Sequence, residues 1–368
     1  MEARPNALLV LHRIGYEYLI RPLLFRGNPQ RAHDVALRWL AFFDRWTIPP
    51  IANWTLPNTP VAVGGVQLQQ RLILAAGFVK GHGFADEQAA LAAVAAGKNI
   101  VPGWRSMSQM VGLVEYGSFT RWPRVGNSGT VIWRDVPTRS TQNRIGLKNP
   151  GVVAAAEFLS RKPLPFQFGI NIAVSPGVED PSIERQEVLA SMAAFLDKGV
   201  RPTWFTLNLS CPNTEDDPKG NQTEDKARDL CAAVVAAIDA IPLWVKVGPN
   251  LSPAQYQSLM RAFAEVDVKA VIATNTQGAP TPDSQGLTAG IGGGRLHAAA
   301  LTAVHHLMEA KVSHGYLVDV IGCGGVLDGT SYDAYRKLGV DAMQYWSALI
   351  YRGPLAAAQI MREGERRS

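Results

Sequence analysis

The chain has 368 residues, of which 47% are hydrophobic and 18% are charged, so it can bury a large core and is not globally disordered. Its net charge of +5 comes without a basic block interleaved with aromatic residues, which argues against a nucleic-acid partner. Three scattered cysteines argue against a disulfide framework or a zinc site, so we expect no bound metal. Because no apolar run is long enough to cross a bilayer, we expect a cytoplasmic protein or one that lies on a membrane surface.

Residues 1–55 are predicted to form a helical extension. Asn28 is a good N-cap and Pro29 suits the first helical position. Apolar residues then recur at helical spacing as far as residue 43, and the preceding segment 8–24 is also amphipathic. Such helices can lie on a bilayer surface or pack as a cap on the main domain, and the pattern alone favours neither.

Residues 56–368 are predicted to form a (β/α)8 TIM barrel, an α/β fold, because strand-like and helix-like segments alternate. An open doubly wound sheet is the alternative, but no GxGxxG follows the first strand. The helix-like segments include 182–196, 224–240, 253–264 and 298–310. The strand candidates are 72–76, 113–118, 166–172, 203–209, 243–247, 270–275, 317–322 and 341–347.

A polar residue or a glycine ends or closely follows each of these strands. In a barrel of this kind, active sites form at the carboxyl ends of the strands. Taken in strand order, the residues are Lys80; Ser118; Asn171; Asn208, Cys211 and Asn213; Lys246; Thr274, Asn275 and Thr276; Gly324 and Gly325; Trp346 and Ser347.

The segment 208–214, Asn-Leu-Ser-Cys-Pro-Asn-Thr, holds a thiol between two carboxamides at a strand end. Pro212 stiffens the turn. This arrangement suits a planar, amide-rich ring whose edge is reached by one nucleophilic or basic atom. The alternative is an ordinary turn with a packed cysteine, since free cysteine often acts as a small buried hydrophobe.

A phosphorylated cofactor is indicated by the last two strand ends. Backbone N–H groups at Gly324 and Gly325 can approach an anion closely, and Ser347 can add a hydroxyl. Lys246 stands in an otherwise apolar strand, where a cation is costly without an anionic partner. An electron-rich ring that becomes anionic on reduction would provide one, and a lysine that extends its amine to solvent is the alternative.

In combination these residues resemble the dihydroorotate dehydrogenase family of FMN-dependent barrel enzymes. The likeness extends over about residues 22–354. It is carried by Ala-Ala-Gly-Phe-Val-Lys (75–80), Gly-Ile-Asn (169–171), Asn-Leu-Ser-Cys-Pro-Asn-Thr (208–214), Val-Lys-Val (245–247), Thr-Asn-Thr (274–276), Gly-Cys-Gly-Gly (322–325) and Arg-Gly-Pro (352–354).

The resemblance implies FMN as cofactor and oxidation of dihydroorotate to orotate in pyrimidine biosynthesis. It implies Cys211 as the catalytic base. The implied substrate-binding residues are Lys80, Asn127, Asn208, Asn213, Asn275 and Thr276. The implied cofactor-binding residues are Ala76, Gly77, Lys80, Ser118, Asn171, Asn208, Lys246, Thr274, Gly293, Gly324, Gly325, Trp346 and Ser347.

The N-terminus resembles the membrane-associated class 2 branch, in which two helices form a tunnel that admits a quinone to the flavin. This implies a quinone acceptor, a peripheral membrane position (the inner face of the cell membrane in a bacterium) and a tunnel lined by His33. On pattern alone, His33 is an ordinary helix residue. Cys211 differs from this branch, because class 2 enzymes carry serine there and the soluble class 1 enzymes carry cysteine.

Other departures from the family pattern are Val79, Val131, Asn250 and a long stretch between Lys80 and Glu115. Two alternatives therefore stay open. One is a flavin enzyme that acts on another dihydropyrimidine or enone, and the other is a non-catalytic flavin-binding barrel.

Overall fold

The computed structural model describes residues 7–46, 48–209 and 223–366. Its strands are β1 (Val61–Val63), β2 (Val66–Leu68), β3 (Leu72–Leu74), β4 (Leu113–Phe119), β5 (Ile132–Asp135), β6 (Ser140–Asn143), β7 (Gly169–Ala173), β8 (Trp204–Asn208), β9 (Leu243–Val247), β10 (Ala270–Ala273), β11 (Gln277–Thr281), β12 (Ser284–Gly293), β13 (Asp319–Cys323) and β14 (Ala342–Tyr345).

The helices cover the outside of the barrel and form the N-terminal segment. They are α1 (Ala7–Ile14), a π-helical segment (Gly15–Ile20), α2 (Arg21–Arg26), α3 (Pro29–Phe43), α4 (Ile51–Thr55), α5 (Glu87–Ala95), α6 (Ser106–Val111), α7 (Val152–Ser160), α8 (Pro181–Asp197), α9 (Glu224–Ala237), α10 (Pro253–Glu265), α11 (Gly294–His314), α12 (Gly329–Lys337), α13 (Ser347–Arg352) and α14 (Ala356–Glu365).

Eight parallel strands close into a barrel in the order β3, β4, β7, β8, β9, β10, β13 and β14. Each contains part of one of the predicted strands, so the (β/α)8 prediction is confirmed and the open sheet is excluded. The bounds differ at some ends. β7 begins at Gly169, and Phe166, which was expected in that strand, is 87% exposed. Runs of buried apolar residues on both faces explain why these strands could be recognised.

A hairpin closes the amino end of the barrel. Strands β1 and β2 pair antiparallel, and their turn contacts the interior tryptophans. Trp244 stacks on Trp204 with ring centroids 4.3 Å apart, and its Nε1 donates to the Gly64 carbonyl at 2.9 Å. Gly64 has a φ of +59°, and a Cβ there would lie 2.3 Å from Trp244 Nε1, so only glycine fits this close approach.

A second sheet stands at the carboxyl end of the barrel. Strands β5 and β6, which follow β4, pair with β12 and β11, which follow β10, in the order β11-β12-β6-β5. The Gln142 side chain donates to the Ala279 and Pro280 carbonyls and so ties β6 to β11. The sequence patterns did not predict this sheet, because its strands are short and its pairing joins distant segments.

The N-terminal helices pack on this sheet and on the barrel. Asn28 Oδ1 accepts hydrogen bonds from the backbone nitrogens of Gln30 and Arg31, which confirms the predicted start of α3. Arg134 in β5 donates to the carbonyls of Leu24 and Gly27. Within the described part of the chain, none of the helices has both the length and the apolar character that a bilayer span requires.

Candidate active site

A cavity of about 160 Å³ opens at the carboxyl ends of the barrel strands. One wall comes from the second sheet, which contributes Ile132, Thr141 and Asn143. The structure thus brings together most of the residues that the sequence singled out. Those that line the cavity are Ala76, Gly77, Lys80, Ser118, Asn208, Lys246, Thr274, Asn275, Thr276, Gly293, Gly324, Gly325, Trp346 and Ser347.

Other predicted site residues lie elsewhere. The exposed Asn127 side chain donates to the Arg144 carbonyl at 2.7 Å, outside the cavity lining. Asn171 is fully buried and donates to Glu115, and His33 lines a neighbouring cavity. Cys211 and Asn213 fall outside the described residues, so their roles stay predictions.

Glycines bring two loops into close contact at one side of the cavity. Gly325 has a φ of +65°, and a Cβ there would lie 2.8 Å from the Gly293 carbonyl oxygen. Gly293 has a φ of +85°, and its Cβ would lie 3.1 Å from Ser347 Oγ. The Ser347 hydroxyl in turn shares a 3.0 Å hydrogen bond with Thr141. Glycine backbone that no side chain covers, next to two hydroxyl groups, is suited to binding the phosphate of a cofactor.

Carboxamides form a polar edge on another side. Asn275 Nδ2 donates to Asn208 Oδ1 at 3.3 Å, and Asn275 Oδ1 accepts from the backbone nitrogen of Thr276 at 2.8 Å. Within the described part of the chain, the buried Thr276 Oγ1 has no hydrogen-bond partner. Because buried polar atoms are nearly always paired, this hydroxyl fits a polar ligand atom in the cavity.

Lys246 belongs to a polar network inside the barrel. The side chain is 6% exposed, and its Nζ donates to Gln344 Oε1 at 3.0 Å. Gln344 Nε2 donates to Glu115 Oε2 at 2.9 Å. The neighbouring Cys323 thiol has its pKa raised by burial, so it stays neutral. Lys246 therefore lies at the cavity and is linked through Gln344 to the Glu115 carboxylate deeper in the barrel.

A second cavity of about 290 Å³ lies between α3 and the second sheet. His33 and Leu37 line it from α3, Val131 lines it from beside β5, and Lys80 lines both cavities. The His33 ring meets Phe78 edge-on at 5.9 Å, and Phe78 meets Trp346 at 6.1 Å. Burial and the nearby Lys80 ammonium lower the pKa of His33 to about 4, so the imidazole is neutral. The aromatic contacts connect the two cavities.

Sequence reasoning missed part of the site. Thr141 and Asn143 come from the unpredicted sheet, while Gln344 lies inside a strand of which only the end, Trp346 and Ser347, was singled out. Glu115 had a signal, since a carboxylate in the middle of a buried strand needs hydrogen-bonding partners.

The fold is that of a (β/α)8 barrel protein with a cavity at the carboxyl ends of its strands. The family model described as "Dihydroorotate dehydrogenase" matches residues 60–367. The chain belongs to the dihydroorotate dehydrogenase family.

Named relatives resemble nearly the whole chain. A protein of Aromatoleum aromaticum named "Dihydroorotate dehydrogenase (quinone)" is 31% identical over 360 residues, covering 94% of this chain and 93% of its own. A protein of the same name from Chromobacterium violaceum is 29% identical and covers 94% and 96%. A crystal structure of DHODH from Eimeria tenella in complex with ferulenol superposes with a TM-score of 0.75 at 22% identity, covering 93% and 92%, which supports the fold.

Proposed function

We propose that this protein oxidises dihydroorotate to orotate with FMN as cofactor and passes the electrons to a quinone. The observation that carries the proposal is the cavity that unites Lys80, Asn208, Asn275 and Lys246 with the glycine loops. A cation for a carboxylate, carboxamides for a ring of amides and bare backbone for a phosphate are the groups that this pair of ligands needs. The names of the relatives support the same reaction.

FMN suits one side of the cavity. Gly293, Gly324 and Gly325 with Ser347 would hold its phosphate, and Lys246 would lie beside its ring. Ala76, Gly77, Ser118 and Thr274 also line this cavity. When bound, FMN supplies the two-electron acceptor chemistry that removal of hydrogen from a saturated ring requires.

The substrate suits the polar edge. Lys80 would bind its carboxylate, and Asn208, Asn275 and Thr276 would bind ring amides, since a carboxamide both donates and accepts. Cys211, whose role rests on sequence, would take the proton from the carbon beside the substrate carbonyl. An unperturbed thiol has a pKa near ~8.5, which is within reach of a general base at working pH.

The quinone would enter through the second cavity, beside His33 and Phe78. Residues 1–55 would act as a membrane-associated extension on the cytoplasmic side. This is supported by solvent-exposed apolar side chains on α1 to α3 and just after α3. Among them are Leu11, which is 68% exposed, Trp39 at 57% and Trp46 at 61%. A patch of this composition suits insertion into the interface of a bilayer.

Steady-state turnover with a short-chain quinone tests the proposal. The FMN-loaded protein should form orotate from dihydroorotate only when the quinone is supplied, and dihydrouracil, which lacks the carboxylate, should be a poor substrate. Equal rates with both compounds would contradict the assignment of Lys80 and of the substrate class.

A further inference from the structure

A carboxylate lies inside the barrel, beneath the cavity. Glu115 is in the middle of β4, its side chain is fully buried, and four side-chain groups donate to it. Asn171 Nδ2 donates to Oε1 at 2.8 Å, and Oε2 accepts from Trp204 Nε1 at 3.0 Å, Thr206 Oγ1 at 2.8 Å and Gln344 Nε2 at 2.9 Å. A carboxyl group surrounded by donors is favoured in its ionised, acceptor-only form.

Lys246 is the cation in the same network. Because Glu115 can only accept in its ionised form, the Gln344 nitrogen must face it, and the Gln344 oxygen then faces Lys246 Nζ. The orientation of this one amide therefore links the two charges. Among the described residues that line the first cavity, none is acidic. Burying a cation without a compensating charge is costly.

We propose that Glu115 is the buried counter-ion that keeps Lys246 charged, with Gln344 joining the two across the barrel. This role rests on the proposed function, because the charge of Lys246 acts on FMN. A positive charge beside an electron-rich ring stabilises its reduced form and so raises its reduction potential. Glu115 lies outside the cavity lining, and it is thus a positioning residue that acts through Gln344.

The isosteric variant Glu115→Gln separates charge from hydrogen bonding. The amide that it introduces can keep an oxygen toward Gln344 and turn its nitrogen toward Asn171, whose Oδ1 has no partner within the described residues. Loss of a negative charge alone would raise the flavin potential by direct Coulomb action. Loss of the Lys246 charge would lower it, so the sign of the shift distinguishes the two effects.

The measurement is the midpoint potential of bound FMN, with a Kd for FMN from titration of the apoprotein. Glu115→Gln is expected to lower the ratio of affinities for reduced and oxidised FMN about tenfold, a shift of about −30 mV for a two-electron couple. Thr206→Val is the control, because it removes one hydrogen bond from the same carboxylate and leaves its charge. Its potential should match that of the unmodified protein.

A double variant moves the charge along the network. Glu115→Gln combined with Gln344→Glu places a carboxylate next to Lys246 and restores the net charge of the barrel interior. The midpoint potential of FMN bound to this double variant is expected to equal that of the unmodified protein. If the single variant does not fold, the double variant provides the test. A potential that stays lowered in the double variant, or one that is unchanged or raised in Glu115→Gln, would overturn the role of Glu115. Absence of FMN from the unmodified protein would instead contradict the proposed function, and this shows before any variant is made.

Discussion

The carboxamides of Asn275 and Asn208 are hydrogen bonded to each other at 3.3 Å, although their strands are separated by a third. Asn275 follows β10 and Asn208 ends β8, with β9 between them. The backbone nitrogen of Thr276 fixes the Asn275 oxygen, so its nitrogen must face Asn208. The two side chains therefore form an ordered polar edge of the cavity.

Asn275→Ala should weaken the oxidation of dihydroorotate. The variant removes one hydrogen-bonding group from the polar edge of the cavity, a loss that corresponds to about 1–3 kcal/mol. We expect kcat/KM to fall about 10- to 100-fold with FMN retained. Asn53→Ala, at an exposed asparagine in α4, is the control and should not change the kinetics. If Asn275→Ala had the kcat/KM of the unmodified protein, Asn275 would not be part of the substrate site.

Cys211→Ala should slow the reduction of FMN by dihydroorotate on the order of 10²- to 10⁴-fold, as expected for loss of a general base. Stopped-flow single-turnover measurements give this rate directly. Cys231→Ala is the matched control, since that thiol is buried in α9 away from the cavity lining. Cys211→Ser should shift the pH optimum upward, because a hydroxyl is a weaker acid than a thiol. An unchanged rate in the alanine variant, or an unchanged profile in the serine variant, would argue against thiol basicity.

His33 should make the protein less stable in acid. Its pKa is lowered from an ordinary value of 6.5 to about 4 by burial and Lys80, so the unfolded chain binds more protons than the folded one between these values. The contribution to the free energy of unfolding is complete above about pH 6.5 and is lost as pH falls toward 4, on the order of 3 kcal/mol in all. The free energy of unfolding can be measured with urea at about pH 7.5 and at about pH 4.5. Its decrease between these two pH values should be smaller for His33→Gln than for the unmodified protein. His305→Gln changes an exposed histidine and is the control. Its free energy of unfolding should decrease between the two pH values as much as that of the unmodified protein.

Asp44 should stabilise the attachment of the N-terminal helices. Its buried carboxylate, just after α3, accepts from the backbone nitrogens of Gly103 and Ser106 at 2.7 and 2.9 Å and from Asn99 Nδ2 at 2.8 Å. Asp44→Ala leaves these buried donors unpaired and should cost about 3 kcal/mol, measured by chemical unfolding. Quinone reduction should fall more than dye reduction if the helices form the quinone route. An unfolding free energy within about 0.5 kcal/mol of wild type would contradict this structural role.

Exposed tryptophans test the membrane proposal. Trp39→Gln with Trp46→Gln should weaken binding to vesicles and lower quinone turnover, because both side chains stand in the open apolar patch. Dye reduction should be unaffected, since it needs no membrane. Leu317→Gln is the control, at a residue that is 93% exposed just before β13, at the amino end of the barrel. Equal vesicle binding by the tryptophan variant and the control would argue against this surface.

Sequence alone predicted the barrel well, because strands buried on both faces are continuous apolar runs such as β10. It also predicted about half of the residues that line the cavity, since one rule places the carboxyl ends of all strands on the same side. It did not predict the sheet that carries Thr141 and Asn143, because pairing between β6 and β12 joins segments about 150 residues apart in the chain. Gln344 was missed for a related reason, since its partners Glu115 and Lys246 come from other strands.

Anaerobic mixing of the FMN-loaded protein with dihydroorotate tests the central claim most directly. The flavin absorbance should bleach within a single turnover, and one orotate should form for each flavin reduced. Dihydrouracil at the same concentration should bleach the flavin far more slowly. A flavin that stays oxidised with dihydroorotate, or that bleaches without formation of orotate, would contradict the proposed reaction.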